Sequence, residues 1–202
     1  QPGEAERGRF PSDARPRGLG GGTFRPKPAG GRRIVANLPS FCRVYTRARI
    51  DEVRTWDGAL GSSYFYAGES KGSVDAMYDA AMEDSFAAVN GCHTLAAIGD
   101  IQKCFEKVPH GKLLAFARRA NFPARILGVC IAMYQCMRCV QVHDATSVAV
   151  FTNCGVAAGC TMATFLIRAY LMTEFDAFNS EYLGLSALYA IRLSVYVDDL
   201  MI

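Results

Sequence analysis

The chain has 202 residues, half of them hydrophobic and 20% charged, which fits one globular domain and excludes wholesale disorder. Residues 1–50 carry 11 Lys/Arg against 3 Asp/Glu, a net of +8, whereas residues 51–202 carry 11 against 16, a net of −5. A basic front on an acidic body points to a polyanion at one end and cation binding at the other.

Residues 1–31 hold eight Gly and five Pro and almost no large apolar side chains. Such a segment buries too little surface to offset its ordering entropy. Residues 1–22 therefore read as a disordered or non-native flank, and residues 23–202 as the domain. RIVANL at 33–38 is strand-like. A helix start follows at Pro39-Ser40, with Phe41, Val44 and Tyr45 among Arg43, Arg47 and Arg49. The spacing of Val74, Met77, Ala81, Met82 and Phe86 predicts a helix from Ser73 to Asn90, capped by Ser73 and stopped by Gly91. Thr94 to Ile98 suits a short buried strand. Helices are predicted over His110–Ala120 and Pro123–Met137, with Pro123 in a first helical turn. Val140–Val142 and Val148–Phe151 form a predicted hairpin around Asp144-Ala145. Thr161–Phe178 is a strong helix, with Met162, Phe165, Leu166, Ala169, Met172 and Phe175 on its apolar side. Ala190–Val197 is a strand. Helices mixed with antiparallel strands make the class α+β.

The N-terminus QPGEAERGRF has no apolar secretory stretch, so the expected location is intracellular, nuclear or cytoplasmic, and not secreted. The longest uncharged run, Ala145 to Ile167, contains Gly155, Gly159, Asn153 and five Thr/Ser, and reads as loop and core rather than a membrane span. Eight cysteines without a secretory route imply thiols. Cys136 and Cys139 form a single CxxC, and a zinc site is not expected.

The sharpest anomaly is SVYVDDLMI. Asp is disfavoured in strands, and two adjacent carboxylates among apolar residues repel unless a cation holds them. The expected geometry is a hairpin with Asp198-Asp199 in the turn and a second strand from Leu200. Alone, the pair reads equally well as an ordinary Asp-rich turn. A third carboxylate favours function: Asp100 follows the apolar run TLAAIG, at or near a strand end. A few carboxylates and a substrate phosphate suffice for Mg²⁺, and two such ions can activate a hydroxyl and stabilise a leaving pyrophosphate.

Four ordered stretches then carry a resemblance. RPKPAGGRRIVANLPS, DIQKCFEKVPHGKLL, GVAAGCTMATFL and YVDDL resemble successive motifs of reverse transcriptases, closest to the non-LTR retrotransposon type. The resemblance covers about residues 24–202. The motifs keep their order, with 55 residues from Asp100 to Gly155 and 43 from Gly155 to Asp198. It implies polymerase fingers and palm, an antiparallel sheet, a catalytic β-hairpin and no thumb. It implies RNA-directed DNA synthesis in a retroelement, with RNA template, DNA or RNA primer and dNTPs as partners and no membrane. Two Mg²⁺ ions, with Mn²⁺ as a substitute, are the implied cofactors.

The carried-over roles are these. Asp100 and Asp198 are the main metal ligands and catalytic residues, with Asp199 supporting them. Lys27 and Arg33 lie on the incoming triphosphate. Phe105 sits under the sugar, where an apolar ring leaves no room for a 2′-hydroxyl. Gly155, Ala158 and Gly159 belong to the loop beside the nascent base pair. Ala158 replaces the family's usual glutamine, Ala163-Thr164 its Ser-Pro, and Ile34 the fingers proline. His110 packs at a helix start in a structural role. Two alternatives stand beside this reading: an RNA-directed RNA polymerase, which Phe105 opposes, and an inactive relic that only binds nucleic acid. Only Leu200, Met201 and Ile202 follow Asp199, so the 202-residue piece is expected to be catalytically silent alone.

Overall fold

The computed structural model describes residues 20–26, 32–68, 71–142, 145–182, 193–197 and 199–201. The remainder of the stretch read as a flank, residues 1–19, lies outside the described residues. Two sheets and six helices make up what is described.

The first sheet has the order β2-β1-β4-β5. Strand β1 (Gly20–Pro26) pairs antiparallel with β2 (Arg32–Asn37), with Phe24 opposite Ile34. It also pairs parallel with β4 (Arg138–Val142), so this sheet is mixed rather than antiparallel throughout. Strand β5 (Ala145–Thr146) returns against β4. The predicted return strand over Val148–Phe151 is replaced by this shorter one. Of that segment, Val150 makes an isolated bridge to Arg138. Ser147 explains the early end: its Oγ takes the Val140 N–H at 2.9 Å, where a ladder carbonyl would otherwise bind.

The helices carry the main core. Helix α1 (Ser40–Ala48) and α2 (Ile50–Leu60) meet at Arg49, with no Gly or Pro between them. Val53 and Trp56 of α2 are buried with Leu113 and Ala117 of α4 (His110–Arg119). Ile126, Leu127, Cys130 and Tyr134 of α5 (Ala124–Gln135) and Leu166, Ile167 and Ala169 of α6 (Ala163–Tyr182) complete it. Each fully buried Leu or Ile contributes about 1.5–3 kcal/mol. The Trp56 indole N–H donates to the Ala120 carbonyl at 2.8 Å, so the ring is buried without an orphaned donor. Pro123 stands at the N-cap of α5 rather than inside its first turn. Among the described residues no helix is long and apolar enough to cross a membrane.

The second sheet is β3-β7-β6: Ile98–Asp100, Asp199–Met201 and Ser194–Tyr196. The Tyr64–Tyr66 segment extends it. Phe65 bridges Val195, the Tyr66 N–H donates to the Val195 carbonyl, and the Val195 N–H donates to the Tyr64 carbonyl, both at 2.8 Å. Tyr64, Phe65, Leu193 and Val195 bury a second cluster, against Phe175 and Phe178 of α6. A buried ion pair between Asp57 of α2 and Arg168 of α6 joins the clusters, with the Arg168 guanidinium 4.6 Å from the Phe65 ring centre.

Helix α3 (Ser73–Val89) forms as predicted, but its cap is Gly72, whose N–H donates to Asp75 at 2.6 Å. None of its residues is buried: Val74, Met77, Met82 and Phe86 of the expected inner stripe are all exposed. The buried strand expected at Thr94–Ile98 is also corrected. Residues 94–97 are not strand, β3 starts at Ile98, and Leu95 and Ile98 are exposed.

Candidate active site

The second sheet brings two distant aspartates together. Strand β3 runs antiparallel to β7 with Ile98 opposite Met201, Gly99 opposite Leu200 and Asp100 opposite Asp199. Residues directly opposite in such a ladder have Cα atoms about 4.5–5.5 Å apart. Asp100 is exposed, so water reaches its carboxylate. Asp198, expected as the partner of Asp100, lies outside the described residues.

Asp199 does not occupy the turn, as the sequence predicts, but begins β7. The ladder explains this, because Asp199 pairs with both Tyr196 and Asp100. Val197, at the hairpin tip, has φ +59°. Tight hairpins need a left-handed residue there, and a β-branched side chain in that region is strained by about 1–3 kcal/mol.

A second feature stands on the chain just after Asp100. The segment 105–110 runs beside 153–156 and is laced to it by backbone hydrogen bonds. Val156 N–H donates to the Phe105 carbonyl at 2.7 Å, Gly155 N–H to Val108 at 2.8 Å and His110 N–H to Asn153 at 3.0 Å. Gly155 has φ +92°, and a Cβ there would lie 3.1 Å from the Glu106 carbonyl oxygen. Conformation and clearance both require glycine.

Beside this ladder lies a cavity of about 350 Å³, lined by Asn37, Phe105, Arg138, Gly155 and Ala158 among others. Phe105 is half-buried and packs on the main core. The Ala158 carbonyl accepts the Ala36 N–H at 3.2 Å, which ties the end of β2 to the glycine loop. Gly159, exposed with φ +101°, follows the lining. A hydrogen bond from Cys130 holds the buried Cys160 thiol below the usual range. All eight cysteines are thiols.

Phe105, Gly155 and Ala158 thus surround one cavity, while Asp100 and Asp199 meet on the second sheet. Arg33 lies in β2 opposite Arg25. Lys27 lies outside the described residues.

A family model for reverse transcriptase (RNA-dependent DNA polymerase) matches residues 25–202. The chain belongs to the reverse transcriptase family. No curated protein matches it. Among solved structures, this reverse transcriptase chain is similar in fold to the telomerase of Candida tropicalis in complex with a TWJ fragment of telomeric RNA. The identity is 14% and the TM-score 0.62, over 90% of this chain and 35% of that one. The Candida albicans telomerase, also with a TWJ fragment, gives 15% and 0.57, over 95% and 38%. This chain therefore spans little more than a third of the length of those telomerases.

Two contacts in this chain have no signal in the sequence. Arg138 lies in an unremarkable Cys-rich stretch, yet its guanidinium reaches the cavity and donates to the Tyr134 carbonyl at 2.6 Å. Burial lowers its pKa. His110, read as structural, is buried with its Nε2 2.9 Å from the Gly155 carbonyl oxygen. A histidine one residue after Pro109 gives no hint of a contact 45 positions away.

Proposed function

We propose that this chain carries the nucleotide-joining site of a retroelement RNA-directed DNA polymerase. The second sheet is the palm and the first belongs to the fingers. The observation that carries the reading is the register of Asp100 against Asp199, with Phe105, five residues after Asp100, lining the cavity. The reaction joins a deoxynucleotide to a primer 3′-hydroxyl on an RNA template.

The Asp100 carboxylate suits Mg²⁺, since it offers hard oxygen donors at an exposed strand end where water can complete the shell. Asp100 and Asp198 would hold it, supported by Asp199. When bound, Mg²⁺ or Mn²⁺ supplies positive charge for the attacking hydroxyl and the leaving pyrophosphate. Lys27 and Arg33 bind the triphosphate, for which ammonium and guanidinium are strong partners. Phe105 places an apolar face under the sugar and excludes a 2′-hydroxyl. Gly155, Ala158 and Gly159 let backbone approach the nascent pair without side-chain obstruction. The telomerases of similar fold were solved with RNA, which agrees with an RNA template here. The location that fits this work is nuclear or cytoplasmic.

One observation favours an inactive relic: the methyl of Ala158 brings no polar group to the cavity. Primer extension separates the two readings. The full protein, given primed RNA and Mg²⁺, should incorporate dNTPs over rNTPs and lose this with Asp198→Asn. Nucleic-acid binding without incorporation refutes the polymerase reading, and preferred rNTP incorporation indicates an RNA polymerase.

A further inference from the structure

We infer that His110 is a positioning residue for sugar selection, acting on Phe105 through Gly155; this rests on the polymerase reading above. His110 is 2% exposed and is the first residue of α4. A carbonyl oxygen only accepts, so Nε2 carries the proton in its 2.9 Å contact with Gly155. Among the described residues its Nδ1 has no hydrogen-bond partner.

The consequence runs along the backbone. Gly155, held by the imidazole at its carbonyl and by Val108 at its N–H, fixes the peptide that follows it. The Val156 N–H of that next residue grips the Phe105 carbonyl at 2.7 Å. The ring of Phe105 lines the cavity, and its depth there depends on where this backbone sits. Arg138 offers the Gly155 carbonyl a second N–H, at 3.5 Å, too long to replace the first. His110 is therefore the side chain that sets the register between the aromatic gate and the glycine loop. Its work needs an N–H donor.

The test uses the full protein with His110→Leu and His110→Ala, which remove the donor, and His110→Gln, which retains one. Two losses of different size guard against one variant failing to fold, and melting curves identify folded protein. Amide hydrogen exchange at Gly155 and Val156 reads the tether directly, without activity. Exchange should rise about tenfold in the loss variants and return with Gln. Primer extension should then show the dNTP-to-rNTP ratio of kcat/KM falling about tenfold, mainly through KM, with Gln restoring it. Unchanged exchange overturns the tether. Faster exchange with an unchanged sugar ratio overturns its role in selection. A wild-type protein that binds primed RNA but incorporates no nucleotide contradicts the polymerase reading instead, and the exchange result then decides the tether alone.

Discussion

The carboxylate edge and the glycine-loop cavity adjoin in sequence, yet they are built by opposite means. Asp100 ends a three-residue strand whose residues are all exposed, and the hairpin facing it carries a strained Val197. The cavity wall rests on a buried histidine, a half-buried aromatic and a ladder of backbone hydrogen bonds. In the proposed polymerase reading, the charge assigned to a cation stays solvated and only lightly braced, because burying it would cost several kcal/mol per ion. The shape assigned to sugar discrimination is held by packing. Damage to the first region should therefore cost activity without stability, and damage to the second should cost both.

The largest effect expected is on the edge. Asp100→Asn should lower primer extension by at least about 1,000-fold, roughly 4 kcal/mol of transition-state stabilisation. Its melting temperature should hold or rise, because a like charge opposite Asp199 is removed. A melting temperature that falls along with activity would break the contrast.

Gly155→Ala attacks the cavity side. The new methyl would meet the Glu106 carbonyl at 3.1 Å from a backbone at φ +92°. A loss of about 3 kcal/mol is expected in urea unfolding. Phe105→Val comes next, and it separates packing from selection. The dNTP-to-rNTP ratio of kcat/KM should fall about 10–100-fold, the scale of one apolar contact changed in a pocket. An unchanged ratio would reduce Phe105 to a core aromatic. The smallest effect is a gain: Val197→Gly should stabilise the hairpin by about 1 kcal/mol as strain is relieved, offset by glycine's chain entropy. Urea midpoints would read it, and a loss of stability would mean the tip is not strained.

The helical elements were the most legible from sequence, for a physical reason. Helix α6 announces itself through apolar spacing, and Leu166 and Ala169 are buried as that spacing asks. The same periodicity misleads at α3, where Val74, Met77 and Phe86 stand exposed. An apolar stripe records a capacity for burial and does not name what covers it. Strand β1 was invisible because a Gly-rich segment has no strand pattern, and its pairing comes from β2 and from β4, more than 100 residues away. The division of α1 from α2 at Arg49 has no Gly or Pro to mark it.

In the site, the order and spacing of the motifs were readable, and so was the place of Gly155 in one of them. The turn was misread by one residue. A DD pair looks like turn chemistry, but the ladder partners of Asp199 lie on β6 and β3, and the latter is about 100 positions upstream. The contact of His110 with Gly155 was likewise out of reach, since no local pattern encodes a hydrogen bond across 45 residues.

In the proposed site, Asp100 and the YVDDL aspartates bind one cation together. Paramagnetic broadening of backbone amides by Mn²⁺ in the full protein reads this out without activity. Residues 98–101 and 194–201 should broaden together at substoichiometric Mn²⁺, recover with excess Mg²⁺, and lose the effect in Asp100→Asn. Broadening at only one of the two segments, or broadening that survives Asp100→Asn unchanged, would contradict a shared site.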